Sequence, residues 1–170
     1  MEQYSVPKKE DEPDMERLIR QYGDSLLRMC CLYLHDLQLA EDAVQDTYIK
    51  VYRKWDTFKG KSSEKTWITS IAINVCKSRL RSSWYNMMLF RGEQEKEPFY
   101  EDKIKDDTIL NEIAGLKPKY REVILLFYYQ ELKIKEIAAA LRITESSATV
   151  RLSRAREQLR ASLKGWYFDE

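Results

Sequence analysis

No proline interrupts the chain between Pro13 and Pro98, and through most of that span apolar residues recur at helical spacing with almost no strand-like alternation. That pattern confines the fold to the all-α class. Leu18, Tyr22, Leu26, Met29 and Tyr33 mark one helix, and Ala40, Val44, Thr47, Val51 and Trp55 mark the next, with Asp36 suited to cap its start. A polar loop over residues 57–65 carries Gly60 and two serines before Trp67, Ile68, Ile71 and Val75 begin a third helix, which runs to Arg81 or beyond.

From residue 84 to residue 107 the periodicity dissolves into mixed aromatics, Gly92, Pro98 and an acidic run. Trp84, Tyr85, Met87, Met88, Leu89 and Phe90 are too apolar for a purely solvated tether, so this cluster either extends the third helix and packs or binds something. Helical periodicity resumes from Ile109 to about Leu116, and Pro118, at a favourable first-turn position, leads another helix over residues 123–129. The expected organisation is two small helical domains: a disordered tail at 1–14, a first domain at 15–84, a flexible acidic linker at 85–107 and a second domain at 108–170.

Within that second domain, KIKEIAAALRITESSA at residues 133–148 and VRLSRAR at 150–156 read as a short apolar helix, a tight turn and a second helix rich in Arg and hydroxyl side chains. A helix-turn-helix presents a helix to the DNA major groove in this way. With Thr144 as N-cap and about 100° per residue, Ala148, Leu152, Ala155 and Leu159 share one stripe, the buried one. The opposite side carries Ser146, Val150, Ser153 and Glu157, with Thr149 and Arg154 on its shoulders. Arg151, Arg156 and Arg160 fall on the flanks, where long cations reach phosphates. Arg154 is the cation best placed to read a base.

The net charge of +1 conceals strong segregation. Residues 133–164 hold eight basic and three acidic side chains, and 59–81 hold six and one. Residues 93–112 invert to eight acidic and three basic, while 36–46 carry four acids and no base. Segregated charge implies more than one kind of partner. In the third helix Ser70, Asn74, Lys77 and Arg81 form one polar stripe opposite Ile68, Ile71 and Val75, and its terminal cations suit a nucleic-acid backbone. In the second helix Glu41, Asp42, Gln45 and Asp46 make an acidic and amide face.

Other classes find little support. One histidine, no Gly-rich phosphate loop and no nucleophile-base pair argue against an enzyme, and no cofactor is indicated. Cys30, Cys31 and Cys76 have neither metal-ligand spacing nor the even count of a disulfide framework, and His35 near Cys31 does not complete a site. Apolar runs are too short to span a bilayer and the charged, proline-bearing start is unlike a signal peptide, so cytoplasmic residence is expected.

Two segments in order then resemble the extracytoplasmic-function (ECF) group of the sigma-70 family. AEDAVQDTYIKVYRKWDTFKGKSSEKTWITSIAINVCKSRLR is similar to sigma domain 2, and LKPKYREVILLFYYQELKIKEIAAALRITESSATVRLSRAREQL is similar to sigma domain 4. The resemblance implies a promoter-specificity subunit of RNA polymerase that catalyses nothing itself. Glu41, Asp42, Gln45 and Asp46 would dock on the β′ clamp helices, and domain 4 on the β flap. The loop residues Lys59, Lys61, Ser62, Ser63 and Lys65 would hold a flipped base of the −10 element, and Ser70, Asn74, Lys77 and Arg81 would line its opening. Arg142, Ser146, Ser147, Thr149, Val150, Ser153 and Arg154 would meet the −35 duplex, with Arg151 and Arg156 on phosphates. An anti-sigma factor, often membrane-bound, is a further implied partner, which the aromatic ending Trp166, Tyr167 and Phe168 would meet unless it folds back on domain 4. Where the family often has Gly-Thr-Val-Lys this chain has Ser146, Ser147, Ala148 and Thr149, so one groove-facing cation is absent. The competing reading is a helix-turn-helix regulator that binds operator DNA as a dimer, and it leaves the stripe from Ser70 to Arg81 unexplained.

Overall fold

The computed structural model describes residues 12–89 and 107–167. Residues 1–11 of the expected tail and most of the expected linker, with the ending at Phe168, therefore lie outside the described residues. Among the described residues there are seven α-helices: α1 (Met15–Leu34), α2 (Leu37–Arg53), α3 (Glu64–Leu89), α4 (Asp107–Gly115), α5 (Pro118–Ile124), α6 (Ile134–Leu141) and α7 (Glu145–Tyr167). A 3₁₀ turn at Trp55–Thr57 follows α2.

Local chemistry explains where these helices start. Asp14 accepts from the Arg17 amide at 3.2 Å, Asp36 from the Leu39 amide at 2.9 Å and Thr144 from the Ser147 amide at 3.1 Å, each satisfying a donor the first turn leaves orphaned. Ser63 does the same for α3, its hydroxyl accepting from the Thr66 amide at 3.1 Å. The helical backbone of α3 continues through residues 84–89, past the boundary expected at 84, while the side chains of that aromatic cluster lie outside the described residues.

α1, α2 and α3 pack on one another around Leu18, Leu26, Met29, Val51, Ile68 and Ile73. The second half packs α4, α5 and α6 on α7 around Val123, Leu126, Ile137, Leu152 and Ala155. Between α5 and α6 the sequence suggested regular helix as far as Tyr129. Instead Leu125–Tyr129 widens into a π-helical turn, closed by bonds from the Gln130 amide to the Leu125 carbonyl at 3.1 Å and from the Leu132 amide to the Leu126 carbonyl at 3.0 Å. The widened turn leaves Leu125 and Leu126 fully buried and aims Gln130 at α1.

The two halves also pack together. α6 lies against α3, and α4 and the π turn lie against α1. All three cysteines are buried free thiols. Hydrogen bonding to Cys76 and burial push the Cys30 thiol well up, and burial pushes Cys31 to about 12, which leaves both as inert packing groups. No helix among the described residues is long and apolar enough to cross a membrane.

One ion pair fixes α3 on α1. Both oxygens of Glu64 accept from the Arg17 guanidinium at 2.9 Å, and the Tyr22 hydroxyl donates to it at 3.0 Å. The bond from Arg17 holds the Glu64 carboxyl below its ordinary 4.5, against the opposing effect of burial. A depressed folded-state value gives stability that is present above the unfolded value and lost as pH falls through the folded one. The melting temperature should therefore drop less for Glu64→Gln than for the native chain between about pH 6 and about pH 3. Equal drops would show that the pair contributes nothing.

Candidate nucleic-acid interface

In α7 the small and apolar stripe is buried: Ala148, Leu152 and Ala155 are inaccessible and Leu159 packs at the edge of the core. Ser146, Thr149, Val150, Ser153 and Arg154 are exposed, Ser147 and Arg151 are half-buried, and Glu157 is exposed beside them. A recess of about 390 Å³ forms where the N-terminal turns of α7 meet α5, lined by Lys119, Tyr120, Ser146, Val150, Arg151 and Arg154. The Arg154 guanidinium beside it holds the Tyr120 phenol below its ordinary value. Lys119 and Tyr120 therefore belong to this face, although they precede the helix-turn-helix by more than a dozen positions. Only the chain's return through α5 reveals them.

Arg142 ends α6 in the left-handed region, at φ 54°. Glycine adopts that conformation without strain, whereas an L side chain there costs on the order of 1 kcal/mol. Its side chain is exposed at the tight turn.

The sequence reading sets Arg156 on the flank of the recognition helix, among the phosphate contacts, and in the structure it is exposed. Its Nε donates to the Tyr128 hydroxyl at 2.8 Å, and its guanidinium lies over the Phe127 ring at 4.9 Å from the centroid. The cation is turned onto the π turn, where it braces α7.

On α3 the polar stripe has a less uniform setting. Asn74 and Arg81 are exposed, while Ser70 and Lys77 are half-buried. The Ser70 hydroxyl donates to the Trp67 carbonyl at 2.7 Å, and Lys77 Nζ lies 3.1 Å from Glu122 Oε2. Ser70 and Asn74 line a cavity of about 320 Å³ together with Thr66, Trp67, Ala139 and Arg142, so α6 forms one of its walls. In the preceding loop Lys59, Lys61 and Ser63 are exposed, and Ser62 and Lys65 are half-buried. Lys59 Nζ donates to the Asp56 carbonyl at 2.7 Å, and Gly60 takes the positive φ of 68° that the bend requires. Ser63 is engaged as the cap of α3. Trp67 packs in an aromatic trio, 5.9 Å from Trp55 and 5.0 Å from Phe58 between centroids, which favours a core role over a stacking platform.

On α2, Glu41 and Gln45 are exposed, while Asp42 and Asp46 are half-exposed and shared by Arg79 of α3, which pairs with both. Helical phase places Asp42, Asp46, Ile49 and Arg53 within roughly 60° of one another. Ile49 and Tyr52 are 48% and 51% exposed, so an apolar pair continues this face beyond Asp46, toward Lys50 and Arg53. Sequence reasoning missed these two residues. Their position off the buried stripe of Ala40, Thr47 and Val51 was the available signal.

Comparison with known proteins fits this geometry. Residues 18–85 match the model of Sigma-70 region 2, and residues 106–159 match that of Sigma-70, region 4. The chain belongs to the sigma-70 family. Within it the chain is an ECF sigma factor. It is 29% identical to RNA polymerase sigma factor YlaC of Bacillus subtilis, over 88% of this chain and 91% of that one. It is 28% identical to the ECF RNA polymerase sigma factor SigW of the same organism, over 92% of each. In fold it is similar to the sigma factor RpoE of Bartonella quintana, solved with the anti-sigma factor NepR, at a TM-score of 0.76 and 24% identity, over 92% of this chain and 99% of that one. An operator-binding regulator is not favoured by these matches. Sigma factors are initiation factors and not enzymes.

Proposed function

We propose that this sigma factor divides promoter recognition between its two halves. The observation that carries this reading is the pair of separate polar faces, on α3 and α7, borne by units that match regions 2 and 4 in the expected order. Arg154, Ser146, Thr149, Val150 and Ser153 read the −35 duplex, joined by Ser147, Lys119 and Arg142, with Arg151 able to reach a phosphate. Asn74, Ser70, Lys77 and Arg81 meet the −10 element where it opens. Lys59, Lys61, Ser62 and Lys65 flank the unstacked strand, where cations and hydroxyls receive backbone and base edges.

The α2 face of Glu41, Asp42, Gln45 and Asp46, continued by Ile49 and Tyr52, docks on the β′ clamp helices of core polymerase. A second groove, of about 620 Å³, is lined by Ile109, Ile113, Ile124, Tyr128, Tyr129 and Leu159. Its apolar floor suits the β flap. RpoE is solved with NepR and CnrH with the cytosolic domain of CnrY, and by analogy an anti-sigma factor restrains this chain in the cytoplasm.

Reconstitution tests the reading. Added to core RNA polymerase free of other sigma factors, the chain should direct transcripts with discrete start sites from a subset of genomic fragments. Transcription no different from that of core polymerase alone would overturn it. A sigma factor without catalysis of its own should also yield no product when polymerase is omitted.

A further inference from the structure

We propose that Lys54 is a specificity-determining residue for the −10 element, its ammonium meeting the edge of an unstacked base and favouring cytosine or guanine there. This deepens the reading of the −10 face proposed above and rests on it. Opening a duplex needs a place for the base that leaves the stack. The cavity of about 320 Å³ beside α3 offers one, and at the small end of the range for ligand sites it suits a single base. Lys54, Thr66, Ser70 and Asn74 all line it from the first half, so the cup they form does not depend on the wall that α6 adds.

Three hydroxyls on this cup have their protons engaged by the chain itself. Thr57 donates to the Lys54 carbonyl at 2.6 Å, Ser62 to the Ser63 carbonyl at 3.3 Å and Ser70 to the Trp67 carbonyl at 2.7 Å, so each offers a base lone pairs rather than a proton. The side chains of Lys54 and Asn74, by contrast, make no hydrogen bond or ion pair with any described residue. Their donors are therefore free for an incoming base. Arg142, the other cation on the cavity, comes from α6 and belongs to the half that meets the −35 duplex.

The point from which Lys54 springs is fixed. Its amide donates to the Lys50 carbonyl at 2.9 Å, and its carbonyl accepts from the Thr57 amide at 2.9 Å. Trp55, next in the chain, packs 5.9 Å from Trp67 of α3 between centroids, which holds this turn against the helix that carries Asn74. Lys59, Lys61 and Lys65 do not line the cavity, and they are the cations left for the phosphates of the strand.

Base chemistry then sets the preference. An ammonium donates three hydrogen bonds and accepts none, whereas an amide does both. Cytosine sets N3 and O2 side by side as acceptors, and guanine does the same with N7 and O6. Thymine and adenine present no such adjacent pair. One ammonium therefore bridges two acceptors in the first two bases and reaches a single acceptor in the others, which leaves the Asn74 amide for the neighbouring donor.

The test assembles the chain with core RNA polymerase on a promoter found by the reconstitution above. Fluorescein-labelled templates are left unpaired through the −10 element, and each position is changed in turn to all four bases. At one position the native complex should bind cytosine or guanine about tenfold more tightly than thymine or adenine, and Lys54→Met should reduce that ratio below about twofold with the other positions unchanged. Lys54→Arg, which keeps a cationic donor, should retain the preference. The side chain is exposed, and melting temperatures identify any variant that fails to fold, in which case Lys54→Gln replaces Lys54→Met. Discrimination unchanged in Lys54→Met overturns the assignment. So does equal weakening on every template with a slope of log affinity against log salt reduced by about 1, which marks a phosphate contact. A native complex that discriminates at the −10 element while Lys54→Met matches it sinks the role of Lys54 alone. A native complex indifferent to every −10 position sinks the division of promoter recognition on which that role rests.

Discussion

Replacing Ile49 and Tyr52 together by alanine should weaken association with core RNA polymerase by about 3 kcal/mol, roughly two orders of magnitude in Kd. Half-exposed apolar side chains are ordinary when scattered singly. These two stand one turn apart on the face that also carries Asp42, Gln45 and Asp46, with Arg53 beyond, which gives an apolar pair flanked by charge on both sides. Interfaces concentrate their energy in such apolar groups, and the charges around them chiefly exclude water and set orientation. The acids alone are poorer anchors, because Arg79 already pairs with both Asp42 and Asp46. Exposed pairs of that kind contribute about 0–1 kcal/mol each.

The double variant should fold normally, since neither side chain fills the core. Ile19, 50% exposed on α1, supplies the control, and Ile19→Ala should change polymerase affinity by less than about 0.5 kcal/mol. Fluorescence anisotropy of labelled chain titrated with core polymerase reads both. A loss below threefold for the double variant would remove α2 from the docking surface.

Much of the local fold was legible from the sequence because its causes are local. Asp36 and Thr144 could be read as caps from residue type and position, and the buried stripe of α7 followed from the spacing of Ala148, Leu152 and Ala155. The π turn was not legible, because Leu125 to Tyr129 is apolar and aromatic on every side and so carries no phase that a widened turn could violate. Ser63 looked like a loop hydroxyl ready for a base, and only the start of α3 shows it to be a cap.

The packing of the two halves on each other was the least accessible part. Glu122 joins Lys77 and Arg151 from positions far apart in the chain, and Gln130 meets Ser25 across an even longer separation. Helical periodicity says which way a side chain faces, and nothing about which distant helix it will meet. Arg156 shows the same limit within one half. Its place on the flank of α7 was correctly read, but the rings of Phe127 and Tyr128 determine where its charge lies.

The contrast between Arg154 and Arg156 gives the second large effect. Both are exposed arginines of α7, and residue type alone ranks them equally. Arg154 opens onto the recess with Lys119 and Tyr120, whereas Arg156 is bonded to Tyr128. Arg154→Ala should cost about 1–3 kcal/mol against the preferred −35 duplex and flatten discrimination among substitutions at one base pair. Arg156→Ala should leave that discrimination intact and lower the melting temperature, because it removes a cation from two aromatic faces. Lys119→Ala should weaken all duplexes alike and reduce the slope of log affinity against log salt by about 1, as the loss of one phosphate contact does. Polymerase holoenzyme on a set of duplexes varied singly through the −35 element provides the measurement. Discrimination lost in Arg156→Ala and kept in Arg154→Ala would reverse the assignment, and would mean that the aromatic clasp on Arg156 opens when DNA arrives.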